Sequence, residues 1–223
     1  MERIGHRGAK RELPENTLAA FQRAFEHGAD AIELDVHATR DGEVVVHHDP
    51  TLGGSAAGLR GHAIAGLSWA ELSAVELAKG VGIPRLADVL TATPAGRTVY
   101  VEIKGVGIEA LVAAALVGSP TRCAVHAFDH EAVRRMRTLA PELPRGILLD
   151  ESPADIEQLM SAAGARDVWP DWTLIGRDLV DRVHAAGGRV IAWTVNDRYA
   201  AEQLIDLGVD GLCTDDVRLL DDL

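Results

Sequence analysis

Cysteine is scarce in this chain. Cys123 and Cys213 are the whole supply, without the paired spacing of a zinc site or the density of a secreted disulfide scaffold, so both read as small buried apolar residues. Long apolar runs are missing too. No stretch approaches the roughly 18 apolar residues of a membrane-spanning helix, and the opening run carries the polar pair His6-Arg7 where a secretory leader would be apolar. A cytoplasmic protein with no stable membrane insertion is the expectation. Positive charge is the third shortage: 22 Lys and Arg stand against 34 Asp and Glu, a net charge of −12. That balance argues against a general affinity for nucleic acid or anionic membrane. An anionic substrate has to be met by a local cation or a metal.

What is present is a repeating order of short apolar runs and helical segments. Strands are predicted at Arg3–His6, Ala31–Val36, Val99–Lys104, Ala124–Phe128, Gly146–Leu149, Asp167–Trp169, Val190–Val195 and Gly211–Thr214. Helical spacing lies between them at Thr17–His27, Leu86–Thr91, Glu109–Leu116, Glu131–Leu139, Ala154–Ala163, Leu179–Ala186 and Ala200–Leu207. Gly28, Gly164, Gly187 and Gly208 stand where left-handed caps would close several of these. Repeated strand and helix units point to a parallel sheet, and eight of them favour an α/β TIM (β/α)8 barrel. An open doubly wound sheet would want a Gly-rich phosphate loop after the first strand, and Gly5-His6-Arg7-Gly8 is not one. The 223 residues, 47% of them hydrophobic, suit one barrel domain over 1–223.

One run breaks the order. Glu43 to His48 follows Val36 too closely for a helical crossover, so it should return antiparallel after a turn at Asp41-Gly42. The returning arm would bring His48 to about the height of Asp35. Residues 51–82 then form a small insertion carrying Leu59, Ile64, Leu67 and Trp69, placed where a barrel's substrate-facing loops lie. It reads either as a cover for the site or as a solvated loop followed by a short helix over Ser68–Leu77.

Strand parity puts Glu33 and Asp35 on one side of the second strand and Glu102 and Lys104 on one side of the third. Inward-facing charge is costly in a barrel except at its wet C-terminal mouth, and these residues come late in their strands. Three carboxylates there repel one another unless a cation sits between them, and oxygen ligands suit Mg²⁺ or Ca²⁺. The structural alternative is a salt-bridge cluster neutralised by Arg7 and Lys104, which buried ion pairs rarely reward in stability. Of the nine histidines, His6 and His48 fall at the predicted mouth and His37 shares parity with Asp35, whereas His27, His62, His130 and His184 read as solvent-facing or helical. Glu15-Asn16-Thr17 is a good helix start and could also help to hold an anion. Carboxylates for a metal, histidines for proton transfer and cations for a phosphate together make the complement of a phosphodiester-cleaving site.

These residues resemble the glycerophosphodiester phosphodiesterase family of phospholipase-C-like barrels. The likeness rests on His6-Arg7-Gly8, Glu15-Asn16-Thr17, Glu33-Leu34-Asp35, His48-Asp49, Glu102-Ile103-Lys104, Trp193-Thr194-Val195-Asn196 and Gly208-Val209-Asp210-Gly211 with Thr214-Asp215. Each block is weak alone, but together they span nearly the whole chain in the family's order. The family's Ser before Phe128 is replaced by Ala127, and its Pro after Thr214-Asp215 by Asp216-Val217. The resemblance implies His6 and His48 as acid and base, Glu33, Asp35 and Glu102 as ligands of one divalent metal, Arg7 and Lys104 on the phosphate, and Phe128 and Trp193 as walls of a glycerol pocket. It implies hydrolysis of a small-molecule glycerophosphodiester to sn-glycerol 3-phosphate and an alcohol, through a cyclic phosphate. A lysophospholipase D, whose insertion accepts an acyl chain, is the rival enzyme. A non-catalytic glycerophosphate-binding barrel is the rival of another class, although a decayed site would be expected to have lost some of its acids or histidines.

Overall fold

The computed structural model describes residues 1–53 and 58–223. In chain order its elements are β1 (Glu2–His6), α1 (Leu18–Glu26), β2 (Ala31–Ala38), β3 (Val44–Val46), α2 (Trp69–Leu72), β4 (Glu76–Ala78), β5 (Val81–Gly82), α3 (Leu86–Ala92), β6 (Thr98–Ile103), α4 (Glu109–Leu116), β7 (Arg122–Ala127), α5 (His130–Leu139), β8 (Arg145–Leu149), α6 (Ile156–Ala163), β9 (Asp167–Pro170), α7 (Arg177–Ala185), β10 (Arg189–Ala192), α8 (Arg198–Leu207) and β11 (Gly211–Thr214). Strands β1, β2, β6, β7, β8, β9, β10 and β11 pair in parallel in that order, and β1 pairs with both β2 and β11, so the sheet closes on itself. This is the TIM barrel that the strand and helix alternation predicts.

Local chemistry explains the element ends. Thr17 caps α1 by accepting from the backbone N–H of Ala20 at 3.2 Å, and the apolar stripe Ala20, Phe21 and Ala24 buries against the barrel. The four glycines expected as caps all have positive φ: 82° at Gly28, 64° at Gly164, 77° at Gly187 and 89° at Gly208. After β11 the chain makes a 3-10 turn, Val217–Leu220, started by Asp216. The strand predicted over Val190–Val195 ends earlier, at Ala192, and Lys104 lies just past the end of β6.

Alternation along the strands separates two cores. Residues such as Ile32, Leu34, Val99, Val101 and Val125 join the helix faces in the main cluster. Ile4, Tyr100, Ala124, Leu148, Trp169, Ile191 and Cys213 form a second cluster of the opposite parity, inside the barrel. Both cysteines are buried and unpaired, and burial pushes the Cys123 thiol up to about 11. At the N-terminal end of the barrel, Glu2 accepts from Tyr100 and Arg189, each at 2.7 Å. Apolar layers and this ion network fill the bottom, leaving the C-terminal mouth for polar groups.

The return expected after β2 is present. β3 runs antiparallel to β2, with Val36 opposite Val46 and Ala38 opposite Val44, and Gly42 takes a φ of 86° in the turn. The backbone N–H of His47 donates to the carbonyl of Asp35 at 3.0 Å, which fixes the height of the next residue, His48. The 51–82 insertion includes residues 54–57, which lie outside the described residues. Elsewhere in it Ser68 forms a capping box with Glu71 at the start of α2, a shorter helix than Ser68–Leu77, and β4 pairs with β5. Leu52, Ile64, Leu67, Leu72 and Val75 build a small core with Val45 and Ile83, and Leu59 and Trp69 pack against it. Among the described residues no helix is long and apolar enough to cross a membrane.

Candidate active site

A cavity of about 130 Å³ opens at the C-terminal end of the barrel, lined by His6, Arg7, Glu33, His48, Glu102, Lys104, His126, Phe128, Leu148, Trp169, Trp193 and Cys213. Strand register builds it: His6 stands beside Glu33 across β1 and β2, Asp35 beside Glu102 across β2 and β6, and Glu102 beside His126 across β6 and β7. His6, Arg7, Glu33, His48, Glu102, Lys104, Phe128 and Trp193 all line the cavity, whereas Asp35 is fully buried and does not.

Asp35 is where the cations converge. Arg7 Nε lies 3.1 Å and Lys104 Nζ 3.7 Å from its carboxylate, and Asn16 Nδ2 donates to its Oδ2 at 2.8 Å. Burial alone would raise its pKa, but Arg7, Asn16 and Lys104 outweigh burial and hold it below the usual carboxylate range. Glu33 and Glu102 lack such compensation. Burial, then the negative charge of Asp35, pushes Glu33 up to about 7, against the pull of His6 and Arg7. Burial, Asp35 and Glu33 push Glu102 up to about 7 as well, although Lys104 Nζ is 3.1 Å away.

His6 and His48 each meet a carboxylate through Nδ1. His6 Nδ1 lies 2.7 Å from Asp215 Oδ1, with its Nε2 4.0 Å from Glu33. His48 Nδ1 lies 2.7 Å from Asp49 Oδ1. His37 is outside the lining, and its Nε2 contacts the backbone carbonyl of His48 at 3.1 Å. Glu15 pairs with Arg7 at 3.0 Å, so the loop after β1 anchors that guanidinium while Thr17 caps α1. Phe128 and Trp193 meet edge to face with centroids 5.5 Å apart, and Trp193 Nε1 donates to the Trp169 carbonyl at 2.8 Å.

Residues 6–219 match the model of the glycerophosphoryl diester phosphodiesterase family. The chain belongs to that family. It is similar to a glycerophosphodiester phosphodiesterase of Caldanaerobacter subterraneus subsp. tengcongensis, 33% identical over 235 residues that cover 97% of this chain and 95% of that protein. Among solved structures, a glycerophosphodiester phosphodiesterase of Agrobacterium tumefaciens superposes with a TM-score of 0.89 at 26% identity, covering 100% of both chains. A phosphodiesterase of Oleispira antarctica, solved in complex with the product sn-glycerol-3-phosphate, superposes with a TM-score of 0.90 at 25% identity, covering 100% of this chain and 97% of that one. The expectation of a glycerophosphodiester phosphodiesterase, drawn from the scattered motifs, is met.

The members of this family that the sequence resembles imply a divalent metal, and the residues present fit one. Glu33, Glu102 and His126 offer ligand atoms that all lie within 4.8 Å of one another. Burial, with the charge of Asp35, raises the pKa values of the two glutamates. Asp35 Oδ1 is buried without a hydrogen-bond partner among the described residues. Arg7 pairs with Asp35, and Lys104 Nζ lies between Asp35 at 3.7 Å and Glu102 at 3.1 Å, yet both glutamates keep raised pKa values, so these two cations do not balance three buried carboxylates.

His126 escaped the sequence reading. It is fully buried, Nε2 3.7 Å from Glu33 Oε1, its ring 4.3 Å from that of Trp169, and burial pushes its pKa down to about 4. The available signal was parity, since His126 is the one polar residue in the run Ala124–Phe128 and shares a face with Phe128.

Proposed function

We propose that the whole chain, 1–223, acts as one catalytic unit that hydrolyses small-molecule glycerophosphodiesters to sn-glycerol 3-phosphate and an alcohol, with one divalent ion, Mg²⁺ or Ca²⁺, held by Glu33, Asp35 and Glu102. The observation that carries this reading is the convergence of His6, His48, Arg7, Lys104, Glu33 and Glu102 on one cavity. When bound, the ion supplies a Lewis acid that neutralises a phosphate oxygen and acidifies a nearby hydroxyl.

The chain's own groups do the rest. Arg7, anchored by Asp35 and Glu15, and Lys104, anchored by Glu102, hold the phosphate and stabilise the charge that builds on its oxygens. Phe128 and Trp193 wall the glycerol side of the cavity. Of His6 and His48, one takes the proton of the glycerol hydroxyl as it attacks phosphorus and the other protonates the departing alcohol. The roles reverse when water opens the cyclic phosphate.

The test is a product assay on a panel of glycerophosphodiesters, with chelator and with each metal restored. Release of sn-glycerol 3-phosphate, lost with chelator and recovered with Mg²⁺ or Ca²⁺, is the expected result. Release that survives complete metal removal would overturn the metal-dependent mechanism.

A further inference from the structure

His6 and His48 both present Nδ1 to a carboxylate, but the two carboxylates are built differently. Asp49 is the next residue after His48 and its side chain is 65% exposed. Asp215 comes from the far end of the chain, just past β11, and its side chain is 15% exposed. Asn196, on the loop after β10, grips it from two sides: Asn196 Nδ2 donates to Asp215 Oδ2 at 2.8 Å, and Asn196 Oδ1 accepts the backbone N–H of Asp215 at 3.0 Å. Thr214 Oγ1 donates to the same Asn196 Oδ1 at 3.2 Å. Lys10 Nζ lies 3.2 Å from Asp215 Oδ1.

An ionised carboxylate can only accept, and Asp215 is ionised at neutral pH, its pKa held at about 2 by His6, Lys10 and Asn196 against the cost of burial. The 2.7 Å contact with His6 therefore requires the proton on Nδ1. Thr194 Oγ1, 3.5 Å from the same nitrogen, is the more distant neighbour. We propose that Asp215, clamped by Asn196, is the positioning residue of His6: it holds the Nδ1–H tautomer and so leaves Nε2 as the atom presented to the cavity. The neutral ring can then accept a proton only at Nε2, and when charged it donates from that atom. The sequence motifs contained Thr214-Asp215 and Asn196 without any role for them.

The proposal rests on the reading of His6 as a proton carrier, so its test has one readout that does not depend on activity. ¹⁵N-edited NMR of the imidazoles, in alkaline buffer where the ring is neutral, reports which His6 nitrogen carries hydrogen in the wild type and in Asp215→Asn. The amide of the variant can donate to Nδ1, which would move the proton to Nε2. Kinetics on glycerophosphocholine should show kcat lowered by about 10²-fold or more in Asp215→Asn, as expected for a wrong tautomer, with KM changed by less than about threefold. Asp215→Glu should recover part of the loss, and equal melting temperatures would exclude general unfolding. A wild-type His6 protonated on Nε2, or a tautomer unchanged by Asp215→Asn, overturns the positioning role. Wild-type kcat in His6→Ala, with the tautomer change intact, overturns the proton-transfer reading instead.

Discussion

Glu33 and Asp35 lie two residues apart on the same face of β2, and their carboxyl groups are held in opposite electrostatic situations. Asp35 has Arg7, Lys104 and Asn16; Glu33 has burial and the charge of Asp35 against it, and sits near 7. With Glu102 in the same state, the mouth carries two acids that are only partly ionised at neutral pH and that a further positive charge would ionise. The chain has a net charge of −12, yet this one spot calls for a cation.

The metal should therefore stabilise the protein, and more so as pH rises. A carboxyl whose folded pKa is raised contributes stability that is fully present below its unfolded pKa and lost as pH climbs through the folded value, here about 7. Without a divalent ion, stability from Glu33 and Glu102 should fall between about pH 5 and about pH 8; with one, that loss should be offset. At a metal concentration about a hundredfold above Kd, thermal melting at the alkaline end should rise by roughly 5–10 °C, and the gap should shrink towards about pH 5. Equal Tm with and without chelator across this range would place the ion elsewhere or nowhere.

His126 divides two versions of the same site. If its Nε2 is a ligand, His126→Gln should raise the metal concentration for half-maximal activity by roughly 10-fold or more, and borderline ions such as Zn²⁺ should gain on Mg²⁺ in the wild type, since imidazole suits them better. If the ring only packs on Trp169, the variant should lose stability with its metal requirement unchanged. Metal titrations of activity beside melting curves separate the two.

The histidines should rank by their contact with the cavity. His6→Ala and His48→Ala should each lower kcat on the order of 10²-fold or more, the usual worth of a general acid or base, with smaller effects on binding. His37→Ala should cost less, because that ring meets the His48 carbonyl and does not line the cavity. Steady-state kinetics would reverse the hairpin assignment if His37→Ala lost activity while His48→Ala kept it.

How much could be read in advance follows from what periodicity and pairing each record. The eight strands, the early return to His48 and the inward acids are visible because parity and run length leave a trace in consecutive residues. His126 leaves only its parity with Phe128, and Asp215 leaves none of that kind. One matters through its neighbour across β6 and β7, the other through a bond to a histidine 209 positions away, which depends on barrel closure. The insertion was ambiguous for a different reason: its apolar residues Ile64 and Leu67 were compatible with a cover, and in the structure they fill a small core of their own. No described residue of 51–82 lines the cavity.

The nucleophile can be tested without changing the protein. If the glycerol hydroxyl adjacent to the phosphate attacks phosphorus, the first step is intramolecular, and such positioning is worth roughly 7–11 kcal/mol in the best cases. A 2-deoxy glycerophosphodiester with the same head group keeps the phosphate that Arg7 and Lys104 would hold and removes only the attacking oxygen. It should bind with nearly the parent's affinity and scarcely turn over at saturation. Because binding and chemistry are then separated, a competitive inhibition constant close to the parent's KM would accompany the loss of kcat. Comparable kcat for the two substrates would instead assign attack to water. That result would leave Arg7 and Lys104 in place, since a phosphate oxygen gathers charge in either route.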